Sequence, residues 1–532
     1  MAGIPTTWRP GRRHVGASVA ATVAVLIAAL LVSLWVAGQR FPTTGSSTTD
    51  IGYLLVTSAI QAALSTVLSI LTGMALAWTL DRLRFAGRGV VIGLLSTALV
   101  MPSLVIVSGL LAIWGRNGWV NALLAPFGLE TGSSIFGLGG IIAAHVVLNG
   151  AFSARIFIDR LGAIPTEKLK LGRSLGLGPL RRFAIIDFPA LAASIPGVAA
   201  TIFLLCFTSF PIVLTLGGGP ANQTLEVAIY QAVRLDFDLG AAVNLAIVQL
   251  VVCAAIIIPA STLSPAASLF GAPNRIHWPE RPWITGVQRV VLTILLAGFL
   301  APLVAVLGEG SGAISNVLAQ SAFWRATATS LVIGTLSALL AIALGLALGM
   351  ARALQAKGSL WRAVLGLPVF AYLAVPAVVL SLGFFLLARL TGLAPALVAP
   401  IVLILANALL ALPFVFATLA PPLEALTLRH HRVIRALGMS SLSQWRRIEW
   451  PLLGRPIGYA LAVAFVFSLG DLGVISLFGT SEFSTLPWLM YRALGAYRTN
   501  DAEAIAAVLL IVSISAFILI PKLFEILTHA RN

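Results

Sequence analysis

The side chains able to do chemistry are few in this sequence, and most stand alone. Asp471, in FSLGDLGV, is the clearest carboxylate inside an apolar run, where a charge costs enough to be read as functional. Ser209-Phe210 stands at the corresponding place in the first half of the chain. With Asp471, these residues are the candidates for a translocation path or gate, although packing or gating explains Asp471 better than recognition of a cation. His145 and Asn149 share a helical face, and Asn407 aligns with His145; hydrogen bonding between helices suits them better than ligation. Cys206 and Cys253 read as small apolar residues, with no disulfide, metal site or cofactor implied. The other histidines, His14, His277, His430, His431 and His529, fall in basic segments and read as solvated. Nucleotide chemistry is missing as well. A phosphate-cradling loop needs Gly-Lys-Ser/Thr, whereas Lys168, Lys170, Lys357 and Lys522 follow Glu, Leu, Ala and Pro. No catalytic set clusters near one run, which argues against an integral-membrane enzyme.

One spacing does stand out, because it occurs twice. RSLGLGPLRRFAIIDFPAL (173–191) lies over RALGMSSLSQWRRIEWPLL (435–453). Gly176, Leu180, Ile186 and Pro189 meet Gly438, Leu442, Ile448 and Pro451, and Asp187 meets Glu449. Farther along, TLEVAIYQAV (224–233) meets TLPWLMYRAL (485–494), and GLALGMARALQAKG (345–358) echoes GMALAWTLDRLRFAG (73–87). The chain thus reads as two homologous halves.

The elements that carry these stretches are membrane spans. Of 532 residues, 59% are hydrophobic and 10% charged, with a mean hydropathy of +1.00. The apolar residues form runs of about 20, the length a helix needs to cross hydrocarbon, and lack the short alternation of a barrel. Runs near 18–37, 54–80, 89–113, 134–157, 192–216, 240–262, 287–307, 325–351, 363–388, 394–420, 456–479 and 502–521 give about twelve spans. The first has no small-residue cleavage site and reads as a retained span. An even number places both termini on one side. Lys and Arg concentrate in the segments on that side, which marks it as cytoplasmic. The net charge of +16 therefore reports topology and needs no nucleic-acid partner. Residues 1–262 form one repeat of about six spans and 287–532 the other. The segment 263–286, rich in Pro, Gly and charge, reads as a cytoplasmic linker.

Each copied stretch reads as a helix, a sharp turn and a second short helix lying across the membrane surface. Gly176 and Gly438 suit a left-handed helix end. Gly178-Pro179 and Ser440-Ser441 suit new helix starts, with Ser441 and Gln444 at capping-box spacing. Leu180, Phe183 and Ile186, like Leu442, Trp445 and Ile448, are spaced three apart to form an apolar stripe. Pro189 and Pro451 are expected to end these helices. Lipid anchoring alone does not require the Gly-x9-Ile-x-x-Pro spacing in both copies.

That spacing resembles the cytoplasmic EAA loop of binding-protein-dependent ABC importer permeases. It departs from the family in having Lys170-Leu171-Gly172 and Arg432-Val433-Ile434 where Glu-Ala-Ala is common. The resemblance implies an all-α permease fold of type I, with coupling loops at 164–191 and 426–453 that dock an ATPase dimer. It places that docking at Gly176, Leu180, Phe183, Ile186, Pro189, Gly438, Leu442, Trp445, Ile448 and Pro451. IWGRNGW (113–119), 209–242 and 468–506 are similar to the fused, two-half permeases of thiamine importers. That likeness implies import of thiamine or its phosphate esters through the bacterial inner membrane, with delivery by a periplasmic thiamine-binding protein. Fused ferric-iron permeases share the layout and are the nearest alternative. An ion-coupled secondary transporter fits less well, because little intramembrane acid exists beyond Asp471. The outer segments 217–239 and 480–500, with Glu226, Asp236, Arg492 and Arg498, are the expected dock for the binding protein. Gly-rich LGGGP (216–220) suits a sharp re-entry at the outer face.

Overall fold

Backbone polar groups inside hydrocarbon must pair with one another, so a chain this apolar has helices as its main option. A computed structural model describes residues 10–41, 50–98, 101–116, 118–128, 135–262, 281–356, 358–373 and 375–529. All regular elements among them are helical. Ten of these helices are long and apolar enough to cross a membrane, or eleven if one pair bent by 55° counts as a single span.

Three of the expected apolar runs are divided between two helices, each with a proline at or beside the break. Run 363–388 is split into Leu360–Leu373 and Ala377–Leu390, with Pro376 capping the second piece. Run 89–113 is split in the same way into Arg88–Thr97 and Ser103–Trp114, with Pro102 at the break. Run 192–216 becomes Ile195–Phe207 and Phe210–Leu216, with Pro211 in the first turn of the second piece. Proline has no N–H to donate and its ring clashes with the preceding turn, so it suits the first turn of a helix, as at these three restarts, whereas Pro395–Ala436 runs on through four prolines. The expected linker cannot be compared over 263–280, which lie outside the described residues. The helix Pro282–Leu318 begins within its last residues.

Ile51–Arg82 packs along Leu138–Gly162, and Ser321–Ala353 packs along Pro395–Ala436. The first helix, Pro10–Arg40, leans on Ser321–Ala353 and Ala377–Leu390, while Pro282–Leu318 leans on Ser103–Trp114. Each of these two helices thus lies against helices from the opposite end of the chain. Small residues allow both crossings. A Cβ on Gly109 would stand 2.1 Å from the Pro302 carbonyl oxygen, and one on Gly383 would stand 3.2 Å from Leu30. Such contacts hold helices together where lipid gives no hydrophobic drive between them.

Two short helices, Leu225–Arg234 and Leu486–Gly495, are fixed by one device used twice. The Leu225 amide donates to Ser58 Oγ at 3.1 Å, and the Leu486 amide donates to Ser330 Oγ at 2.8 Å. In each case a buried serine on a long helix satisfies a helix-start N–H that would otherwise be orphaned.

Gly109→Leu is expected to overpack the crossing at Pro302 and cost about 1–3 kcal/mol or more. The exposed Gly298→Leu, with open space around its Cβ, should be neutral. Thermal unfolding of the detergent-solubilised protein compares them; equal unfolding temperatures would refute the packing.

Candidate functional site

The two copied turns have closely matching backbones. Helix Thr166–Ser174 ends with Gly176 at φ +64°, and helix Pro395–Ala436 ends with Gly438 at φ +57°. The following amides close the helix ends: Leu177 N–H to Gly172 O at 3.1 Å, and Met439 N–H to Ile434 O at 3.2 Å. This is the Schellman pattern, which needs a left-handed residue at the turn and so favours glycine. Of the Ser440-Ser441 pair, Ser440 caps the second short helix, its Oγ accepting from the Ser443 amide at 3.2 Å. Gln444 stands one place beyond the third helical position of that cap, and its amide donates to Glu449 Oε1 at 2.8 Å.

Beyond each start the backbone widens into a π turn, Phe183–Asp187 and Trp445–Glu449. Phe188 N–H bonds to Phe183 O, and Trp450 N–H bonds to Trp445 O, both spanning five residues. Pro189 and Pro451 follow, and the wider turn spares the carbonyl their rings would strike. The helices therefore continue past both prolines, to Ala192 and Leu469, rather than ending there.

The π turn also redistributes the expected apolar stripe. Residues three apart stack in an α-helix but diverge in this wider turn. Leu180 and Leu442 face outward, at 86% and 57% exposure. Phe183 packs on one buried cluster, and Trp445 and Ile448 pack on another. Ile186 is half-buried and Pro189 exposed. The outward apolar set instead pairs Leu171 with Val433, Leu175 with Leu437, and Leu180 with Leu442, all more than half exposed.

Beneath each turn lies a buried acid held by an arginine. Asp187 receives a hydrogen bond from Arg82, at the end of Ile51–Arg82, and both side chains are nearly fully buried. Glu449 receives both Arg12 nitrogens, at 2.5 and 2.8 Å, from the start of the first helix. The aligned acids thus take arginines from two different helices. Sequence reasoning missed Arg12 and Arg82. An acid conserved between copies of a basic segment was the available signal.

A span away, Ser209, Phe210 and Asp471 occupy helix breaks. Ser209 and Phe210 are buried. Asp471 accepts the Val474 amide at 3.1 Å and so serves the turn before Ile475–Phe478. The polar residues of the spans bond between helices: Asn149 to Cys206 Sγ at 3.3 Å, Asn407 to Ser468 Oγ at 2.9 Å, and His145 with Ser65 Oγ at 3.0 Å. Gly218 and Gly219 adopt positive φ and turn the chain back into Leu225–Arg234.

The four expected docking residues separate. Asp236 and Arg492 are exposed, as is Arg498, which pairs with Asp501. Glu226 is fully buried and accepts from Gln249 at 3.1 Å, so it offers no charge to a surface. Its charge type suggested the outside, but its hydrogen-bond partner lies inside. Near Asp236 and Arg498 stand two aromatics that sequence reasoning missed. Phe237 and Tyr497 are 80% and 92% exposed, with φ of 55° and 58°. A left-handed bulky residue is strained by about 1–3 kcal/mol and tends to mark function.

No family model matches the chain. It is 38% identical to the thiamine transport system permease protein ThiP of Salmonella typhimurium over 471 residues, covering 87% of each chain. This chain belongs to the thiamine transport system permease family. The corresponding Escherichia coli K12 permease is 38% identical over 475 residues, and that of Haemophilus influenzae is 35% identical over 469. Membership makes this permease a transport subunit of an ABC importer rather than an enzyme. Together with its ten apolar helices, it makes the chain a multi-pass inner-membrane protein. The ferric-iron and ion-coupled alternatives find no support among these relatives.

Arg82→Ala would remove the nearer cation from buried Asp187 and leave Arg182 at 3.9 Å; it should cost about 1–3 kcal/mol and couple to Asp187→Ala in a double-mutant cycle. Unfolding temperatures of the purified permease variants test this; a single variant as stable as the parent would contradict the ion pair's role.

Proposed function

We propose that this permease carries thiamine or its phosphate esters from the periplasm to the cytoplasm. On this reading both termini are cytoplasmic, and the chain forms two pseudo-symmetric halves, 1–262 and 287–532. An ATPase dimer docks on the coupling loops 164–191 and 426–453, and a periplasmic thiamine-binding protein seats on the opposite face. One observation carries the reading: the same turn occurs twice with apolar residues outward at the same positions, in a chain whose 38% identical relatives are thiamine permeases.

The chemistry of drive follows from the turns. Leu171, Leu175 and Leu180, with Val433, Leu437 and Leu442, offer two equivalent apolar knobs to a symmetric partner. The buried Arg82–Asp187 and Arg12–Glu449 pairs fix each knob to a transmembrane helix, so a push on the turn moves that helix and not only the loop. Gly176, Gly438, Pro189 and Pro451 shape the turn, Phe183, Trp445 and Ile448 seat it on the buried core, and Ile186 lies half-buried beside it. Ser209, Phe210 and Asp471 set the helix breaks near the path. Asp236, Arg492 and Arg498 rim the outer dock and guide encounter, with Phe237 and Tyr497 as its aromatic anchors.

ATP-dependent uptake of labelled thiamine by vesicles holding the assembled complex tests the cargo, with thiamine pyrophosphate and ferric iron compared; uptake of iron but not thiamine would overturn it. In the same vesicles, Phe237→Ala with Tyr497→Ala should weaken binding-protein docking by about 2 kcal/mol or more, roughly thirtyfold, while leaving basal ATPase activity intact. Arg492→Glu with Arg498→Glu should slow uptake chiefly at low salt. Unchanged uptake in both variants would remove the dock from this face.

A further inference from the structure

Tyr230 and Tyr491 occupy the same position in the two copies of one short helix, TLEVAIYQAV and TLPWLMYRAL. Their helices face each other: Arg234, one turn after Tyr230, lies 5.7 Å over Trp488, which stands one turn before Tyr491 and 5.7 Å from it. Counterpart groups that face each other in this way lie about the axis relating the copies. Between two parallel repeats that axis runs along the membrane normal, where a path shared by both halves must pass.

The surroundings close this point. Phe210 is 1% exposed and sets its ring 5.2 Å from that of Tyr230, itself 7% exposed. Trp488 stands 5.7 Å from Tyr491. Arg234 reaches from one short helix to the other half, its Nη2 donating to Gly479 O at 2.6 Å and its guanidinium lying 5.7 Å over the Trp488 ring. Gly479 allows that approach, since a Cβ there would stand 2.6 Å from the Trp488 ring. Both short helices hang from the long helices by the Ser58 and Ser330 hydroxyls. Movement of those helices would therefore part the tyrosines.

We propose that Tyr230 and Tyr491 form the closed outer constriction of the translocation path and contact the cargo as it passes. The cargo rests on the thiamine reading above; the constriction does not. Their rings suit an aromatic cation, which gains attraction over an aromatic face. The role explains why this pair is aromatic and hydroxylated in both copies.

The test uses the full complex of permease, ATPase and binding protein in proteoliposomes. Tyr230→Ala with Tyr491→Ala should permit ATP-driven thiamine uptake without the binding protein, about tenfold above the parent, because the closed state loses its contact. Tyr230→Phe with Tyr491→Phe, which keeps the rings, should remain dependent on the binding protein. An alanine pair that stays fully dependent, with parental uptake, overturns the constriction. Should the alanine pair fail to assemble, Tyr230→Cys in a Cys206→Ser, Cys253→Ala background replaces it, read by a membrane-impermeant thiol reagent applied outside. Labelling should rise about tenfold on vanadate trapping with ATP and binding protein. Equal labelling in both states overturns the constriction. State-dependent labelling in a complex that imports no thiamine supports the constriction and overturns the cargo.

Discussion

Every other feature depends on one constraint, which is that a backbone in hydrocarbon must satisfy its own hydrogen bonds. It makes the chain helical, and it restricts where a helix can break to places that other protein covers. The breaks at Pro102 and Pro376, at Ser209 and at Asp471 are of this kind. Each leaves amides or carbonyls to be satisfied, and buried polar side chains satisfy some of them. Asp471 does so for Val474, Ser58 for Leu225 and Ser330 for Leu486.

The turns show how a force applied to a loop can reach those breaks. Gly176 and Gly438 set the direction of the chain, and the π turns carry it past Pro189 and Pro451 without a gap. The turn and the following span are one continuous helix in the second half, Ser441–Leu469, and a pair bent by 55° in the first. Asp187 and Glu449 then fasten these units to Ile51–Arg82 and to Pro10–Arg40. The second fastening crosses the molecule, because the first helix lies against the second half. One turn is tied to its own half and the other to a helix from the opposite half.

Much of this was legible in the sequence. The apolar runs placed the helices, and the repeated Gly-x9-Ile-x-x-Pro placed both turns, with glycine left-handed as its chemistry suggested. The direction of the side chains was less legible. Phe183 and Trp445 turned inward because a π turn is imposed by the downstream proline, whose effect a three-residue spacing does not encode. Arg12 and Glu449 are separated by 437 residues, and no local pattern links them. Glu226 looked external because acids usually are, yet Gln249 gives it a buried partner. Phe237 and Tyr497 escaped notice because strain belongs to the folded backbone. Apolar periodicity reports burial against lipid and core alike, so it did not separate a straight span from one broken at Pro376.

The central claim is that the exposed leucines of the two turns are the surface on which a partner drives this permease. A photo-crosslinking residue placed at Leu180 or Leu442 in the assembled complex measures this directly, with Phe183 and Trp445 as inward-facing controls. Crosslinks to the ATPase from Leu180 and Leu442, and none from Phe183 or Trp445, are the predicted result. An absence of ATPase crosslinks at both leucines, in a complex that still imports, would contradict it.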